Sequence, residues 1–343
     1  MRQGNKPTSR RPNIVVIGGG TGLPVILKSL KELNAQLTGI VTVADDGGSS
    51  GKLREAFDSV PPGDLRNVLT ALSDIPELQR AIFQYRFKSK DKSFDGHAIG
   101  NFIIQATTEL KGNIYEAIQL LAKMMHVDGS VYPSAEVPLV LHARYKDGTT
   151  GSGESKIAQA GKMIDYVAVS RADNHGPVEP GRKVVSAIMN ADMVVLGPGS
   201  LFTSILPNLM IPDLGKALLE TSAKVVYICN IMTQLGETED FTDAEHVDVL
   251  HRHLGQPFID IALVNNGHVP FEHVSKENSE YLYQVKHDFQ GLSNQVPTVI
   301  SDDFLSLSDK GVFHNGPKVA RELFKTANDV QGRRRVMGGN LTQ

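Results

Sequence analysis

The chain has 343 residues, 41% of them hydrophobic and 21% charged, with a formal net charge of −3. That balance gives enough apolar material for a sizeable core. The near-neutral charge gives no field to gather nucleic acid or an anionic membrane, so neither is expected as a partner. The single cysteine, Cys229, ends the apolar run Val225-Val226-Tyr227-Ile228-Cys229. One cysteine excludes a disulfide framework or a cysteine metal cluster, and a buried thiol is the reading.

Residues 1–12 are polar and basic, without the apolar stretch of a secretory signal, and no run of roughly 18 apolar residues occurs anywhere. A cytoplasmic protein is expected. Residues 331–343, which include Arg333-Arg334-Arg335, and residues 1–12 read as flexible tails around one α/β domain over 13–330.

In chain order, Asn13 to Ile17 is an apolar, β-branched strand that ends at Gly18. Pro24 suits a first helical turn, followed by Ile26, Leu27, Leu30 and Leu33 at helical spacing. Leu37 to Ala44 predicts a second strand, ending at Asp45-Asp46-Gly47-Gly48. The turn Pro61-Pro62-Gly63-Asp64 precedes a helix carrying Leu65, Val68, Leu69 and Leu72, with Asp64 as its N-cap. Helices are expected over 97–110 and 114–125. From about 131 to 182 the pattern suggests hairpins, a β-rich insertion between core segments 13–125 and 185–330. Strands then return at 193–196, 224–230 and 259–265. The whole predicts a Rossmann-like parallel sheet wrapped by helices.

In an open parallel sheet, ligands bind beyond the carboxyl ends of the strands. Five predicted strands end there in residues suited to phosphate, ribose or metal: Gly18-Gly19-Gly20-Thr21-Gly22, Asp45-Asp46, Gly197-Pro198-Gly199-Ser200, Asn230, and Asn265-Asn266-Gly267. The first loop joins a strand to a helix, where backbone amides and the helix dipole can hold an anion. It is neither the dinucleotide fingerprint, since Leu23 stands at the third glycine position, nor an ATPase phosphate loop, since no Gly-Lys-Ser/Thr follows. The second loop, with Leu201 onward helical and hydroxyls at Ser200, Thr203 and Ser204, repeats the logic, and two such loops suit a diphosphate. Asp45 and Asp46 fit a ribose-binding acid, a magnesium site or a solvated turn. Weaker candidates are His97 with Asn101, and Glu237, Thr238 and Asp240; the latter three fit a helix cap equally well. His251 and His253 fall on opposite sides of a helix and form no metal pair. No covalent-nucleophile elbow or zinc spacing is present.

Six segments at these positions carry a resemblance: IVVIGGGTGLPVILKSL (14–30), VTVADDGGSSGKLRE (41–55), PPGDLRNVL (61–69), GHAIGNFII (96–104), GPGSLFTSILPNL (197–209) and CNIMTQLGETEDF (229–241). In this order they resemble the YvcK-type gluconeogenesis factors, a family grouped with the CofD transferases. Those enzymes move a phospholactyl-type group from a guanylylated donor to a deazaflavin, with magnesium. The resemblance implies a nucleotide site built from Gly18 to Gly22, Asp45, Asp46, Asn101 and the loop Gly197 to Ser204. It implies binding of a UDP-sugar, or of GDP or NAD in the same pocket, without a covalent cofactor. It also implies a role in cell shape and wall synthesis on gluconeogenic carbon sources, with wall-synthesis regulators as partners. A homo-oligomer, a dimer, is the expected assembly. A sensor is favoured over a CofD-like transferase because no acid–base pair or nucleophile stands out. Where many relatives carry Arg-His-Asp, this chain has Phe313-His314-Asn315, which removes the arginine as a sugar-nucleotide contact.

Overall fold

The structure is a computed structural model that describes residues 10–91, 93–273, 283–309 and 311–338, with side chains as far as residue 329. The chain begins β1 (Asn13–Gly18), α1 (Gly22–Lys31), β2 (Gln36–Val41), α2 (Gly48–Phe57), α3 (Gly63–Leu72), α4 (Glu77–Gln84), α5 (Ile99–Lys111), α6 (Ile114–Met124) and β3 (Ser130–Pro133). An inserted unit follows: β4 (Leu139–Tyr145), β5 (Thr150–Ser152), α7 (Glu154–Gln159) and β6 (Ile164–Arg171). The chain then runs through α8 (Val184–Met189), β7 (Met193–Leu196), a π-helical turn (Leu201–Ile205), α9 (Leu206–Leu209), α10 (Pro212–Glu220) and β8 (Lys224–Ile228). It ends with α11 (Asp243–Leu254), β9 (Ile261–Asn265), α12 (Phe289–Gln295), β10 (Thr298–Asp302), the hairpin β11 (Leu305–Ser308) and β12 (Gly311–His314), and α13 (Gly316–Gly338).

The main sheet has the order β10-β9-β8-β7-β1-β2-β3, and every neighbouring pair is parallel. Helices cover both faces, so the central strands are apolar throughout rather than alternating. Ile14 to Ile17 and Met193 to Leu196 are fully buried. This is the Rossmann-like α/β fold that the sequence predicts.

Several boundaries differ from expectation for local reasons. The second strand stops at Val41, not Ala44, where both partner strands end: Val41 pairs with Gly18, the last residue of β1, and with Pro133, the last residue of β3. Residues 130–133, expected inside the insertion, form the edge of the main sheet instead. The antiparallel sheet β5-β4-β6 accounts for the rest. Helices α2 and α4 were not anticipated, since Gly47-Gly48 reads as a turn and α4 buries little beyond Phe83.

The expected tails also change. Arg10 is paired with Asp192 at 2.7 Å, and Arg11 donates to the Ala35 carbonyl at 2.9 Å, so residues 10–12 are held against the domain. Residues 1–9 and 339–343 lie outside the described residues, while 331–338 continue the helix α13. No helix among the described residues is long and apolar enough to cross a membrane.

Two histidines of α11 hold the surroundings of the site in place, on opposite sides of the helix as expected. His251 Nε2 accepts from the Ile259 amide at 3.4 Å. His253 Nε2 accepts from the Val167 amide at 3.1 Å, which leaves Nδ1–H to donate to the Val249 carbonyl at 2.7 Å. Its ring lies flat on Tyr166, with centroids 4.5 Å apart, and burial pushes its pKa down to about 4. A neutral ring thus fastens the inserted sheet to the core. His253→Ala would leave the Val167 amide unpaired above a void, and should destabilise the fold by roughly 2–4 kcal/mol in urea unfolding. A loss under about 0.5 kcal/mol would show that the ring is not a clamp.

Candidate functional site

From β1 the chain builds outward through β2 to β3, and from β7 it builds the other way through β8 to β10. Between β1 and β7 the strand order reverses, and open α/β sheets bind ligands at such a switch point. The glycine loops Gly18–Gly22 and Gly197–Ser204 are the loops that follow these two strands. They touch. A β-carbon at Gly22 would lie 2.8 Å from Pro198 Cγ and 2.9 Å from its carbonyl oxygen, so only glycine allows the approach. Gly20 has φ +68°, in the left-handed region.

The first loop is not simply a row of free amides. The Gly20 amide donates to Asp64 Oδ2 at 2.6 Å. Helix α3 starts at Gly63 behind Pro62, so Asp64 sits in its first turn instead of capping it, and turns its carboxylate to the loop. Burial raises its pKa to about 6, helped by the charge of Asp45 and opposed by the Gly20 bond and by Arg66.

The second loop is braced from β8 and the segment beyond it. Ser200 Oγ donates to Glu237 and accepts from the Thr203 amide at 3.2 Å and the Thr203 hydroxyl at 2.8 Å. Asn230 Nδ2 donates to the Gly199 carbonyl at 3.1 Å, while its Oδ1 accepts from Tyr227 at 3.3 Å. Leu201 is fully buried and contributes backbone only. The Ser204 carbonyl accepts from Asn208. Cys229 is buried, as read from the sequence, and Thr242, not Glu237 or Thr238, caps α11. A cavity of about 160 Å³ opens beside the two loops, lined by Thr21, Gly22, Gly199, Ser200 and Asn230 and closed by Ile231, Met232, Phe313 and His314.

On the β2 side the crevice is acidic. Asp45 Oδ1 accepts from the Gly47 amide at 2.8 Å, and Asp46 Oδ1 accepts from the Ser155 amide of α7 at 2.8 Å. The inserted unit therefore docks on this turn and brings Glu154 with it. Burial raises Glu154 to about 8, and Asp45, Asp46, Glu237 and Asp64 add to the rise. Burial also raises Asp45, partly offset by Gly47, with Asp46 opposing that relief. Five carboxylates thus share one region. Among the described residues no three His, Cys, Asp or Glu side chains gather as a metal-ligand set. The oxygen-only donors and the excess charge fit a hard cation held by one or two carboxylates, with phosphate and water completing its shell.

Asn101 is completely buried behind this wall. Its Oδ1 accepts from Arg66 at 2.8 Å and its Nδ2 donates to Ser49 at 3.0 Å, so its amide is used inside the protein. Ser49 in turn meets His97 Nδ1 at 3.0 Å, and burial lowers the pKa of that imidazole. Asn265 closes its own turn, bonding Gly267 and the Phe304 amide, and takes no part in the cavity. Sequence reasoning missed Asp64 as a loop anchor and missed Glu154 entirely. Asp64 sat in plain view in PPGDLRNVL, but nothing local links Glu154 to residues more than a hundred positions earlier.

The family described as 2-phospho-L-lactate transferase CofD matches residues 14–305, which span both loops, the acidic turn and the insertion. The chain belongs to the CofD family. A Listeria monocytogenes protein named Gluconeogenesis factor is 46% identical over 313 residues, covering 91% of this chain and 95% of that one. A Streptococcus pneumoniae relative, provisionally named a gluconeogenesis factor, is 54% identical over 318 residues, covering 92% of this chain and 98% of its own. A crystal structure from Bacillus halodurans, described as a member of the upf0052 family, superposes with a TM-score of 0.86 at 39% identity, covering 92% of this chain and 99% of that one.

For this CofD-family chain, the Glu154 pKa of about 8 lies above the ordinary 4.5, so the folded state holds a proton that the unfolded chain has lost across that interval. Near pH 9 the carboxylate is charged in both states, and its burial, together with repulsion from the other acids, opposes folding. Glu154→Gln should therefore raise the melting temperature near pH 9, with the gain shrinking towards about pH 5, where folded wild type is already neutral. An equal effect at both pH values would separate Glu154 from the acidic cluster.

Proposed function

We propose that this CofD-family protein binds a UDP-sugar, with the diphosphate lying across the two glycine loops at the switch point. It acts as a gluconeogenesis factor that couples this binding to cell shape and wall synthesis on gluconeogenic carbon sources. The observation that carries the reading is the meeting of two strand-to-helix loops, Gly18–Gly22 and Gly197–Ser204, beside a cavity with polar and apolar walls. Such loops offer backbone donors to phosphate, and the cavity beside them offers apolar surface to another part of the ligand. The name of the Listeria monocytogenes relative supports the physiological part.

A second reading, a CofD-like transferase acting on a guanylylated donor, is favoured by one feature: the carboxylates that converge from β2, α3, α7 and the Glu237 segment. Asp45 and Asp46 would hold a magnesium ion there, and the bound ion would neutralise phosphoryl charge. In either reading Asp45 and Asp46 face the nucleotide's charged end, while Asn101 holds Arg66 and Ser49 inside the protein.

A thermal-shift series with UDP-sugars, GDP and NAD, with and without magnesium, tests the nucleotide reading through the stabilisation that binding must give. Unchanged melting with all of them at saturation would end it. Isothermal titration then tests the acids. Asp45→Asn with Asp46→Asn should abolish magnesium dependence if they hold the ion, or weaken binding by roughly 1–3 kcal/mol in either buffer if they bond ribose. Unchanged affinity in both buffers would remove both residues from the site.

A further inference from the structure

The crevice is polar at one end and apolar at the other. Towards β2 lie Asp45, Asp46, Asp64 and Glu154; towards β8 lies the cavity walled by Val25, Ile231, Met232 and Phe313. Set into that apolar wall are two polar groups. The Gln234 Oε1 is buried without a partner, and Gln234 lines the cavity. His314, also lining the cavity, has Nε2 at 3.0 Å from the Cys229 carbonyl oxygen. A carbonyl can only accept, so Nε2 carries the proton and Nδ1 keeps its lone pair. Nδ1 makes no hydrogen bond within the described residues.

Resting on the nucleotide reading above, we propose that this β8-side cavity is the nucleobase subsite, and that His314 Nδ1 reads the base by accepting a hydrogen bond from its ring N–H. The nucleotide then lies with its base on the β8 side, its diphosphate over the two loops and its sugar or transferable group towards the carboxylates. Polarity sets this direction. A planar, uncharged base gains from an apolar wall, whereas a second anionic group there would find no lysine or arginine among the lining residues. Phe313 and Met232 supply apolar surface to the ring. The acceptor role of His314 is robust to pH, because burial pushes its pKa down to about 4 and the ring stays neutral. Uracil has a single N–H on its base edge, at N3, and it is this hydrogen that Nδ1 would accept. A base without that N–H leaves a lone pair facing a lone pair, and sites built on such bonds discriminate strongly.

The test uses UDP and its N3-methyl derivative as probes in isothermal titration. Wild type should bind UDP at least roughly tenfold more tightly than N3-methyl-UDP. His314→Ala and His314→Phe, the latter keeping a ring of similar bulk, should weaken UDP roughly 10- to 100-fold and bind the two probes alike. Equal binding of both probes by wild type overturns the proposal without any variant, so misfolding cannot shelter it. A preference for UDP that survives in a folded His314 variant also overturns it. If wild type binds neither UDP nor GDP, the nucleotide reading itself has failed; binding of UDP without the N3 preference removes only the subsite.

Discussion

The Gly20 amide donates to Asp64 across 2.6 Å, and the functional edge of the sheet is organised around that bond. The carboxylate belongs to α3, the amide to the loop after β1, so the bond fixes a glycine segment that has no side chains of its own to anchor it. From Asp64 the same helix presents Arg66, two residues on. Arg66 bonds Asn101, Asn101 bonds Ser49, and Ser49 meets His97. A polar chain therefore ties α2, α3 and α5 to the loop at the switch point. Buried polar chains of this kind specify one arrangement when their members are paired, because each unpaired member would be costly in a medium of low dielectric. Arg66 Nε remains without a partner, and burial lowers the Arg66 pKa to about 10.

That bond also limits where a phosphate can sit. A dianion directly on Gly20 would face the Asp64 carboxylate, with like charges at close range. Two arrangements relieve this. Asp64, with its pKa near 6, can take a proton, or a cation can lie between the acids and the phosphate. The second loop carries no such carboxylate on its amides: Glu237 is engaged by Ser200 and Thr203. The two halves of the switch point are thus electrostatically unequal despite their similar glycine patterns, and a diphosphate would feel that difference along its length.

How far this was legible in the sequence follows from the range of the interactions. The strands β1 and β7 could be read because helices cover both sheet faces and leave uninterrupted apolar runs such as Ile14 to Ile17. The two glycine loops could be placed at strand ends for the same reason, and their adjacency then follows from the Rossmann-like order. The end of β2 was misplaced because it is set by non-local partners, β1 and β3, which both end opposite Val41. Asp64 was read as a cap because its neighbours, Pro61-Pro62-Gly63, make a helix start; its true partner is 44 residues earlier. Asn101 was read as facing a ligand, yet its spacing could not reveal that Arg66 and Ser49 occupy both ends of its amide. Local rules found the elements, and the errors cluster where one element meets a distant one.

Glu154 makes the same point about the inserted unit. Seen as a pattern of hairpins between 131 and 182, the insertion reads as an appendage that the core would not need. In the structure its short helix α7 docks on the acidic turn through the Ser155 amide and Asp46, and the preceding residue extends into the shared field of Asp45, Asp64 and Glu237. The other end of the unit is held by His253 through Val167. Both attachments cross from insertion to core, and one of them lies within the candidate site. Removing the insertion would expose the stacked face of His253, free the Asp46 carboxylate and withdraw one of the five acids. The unit therefore belongs to the site's electrostatics as much as the glycine loops do, and the domain cannot be divided between scaffold and appendage without dividing the site.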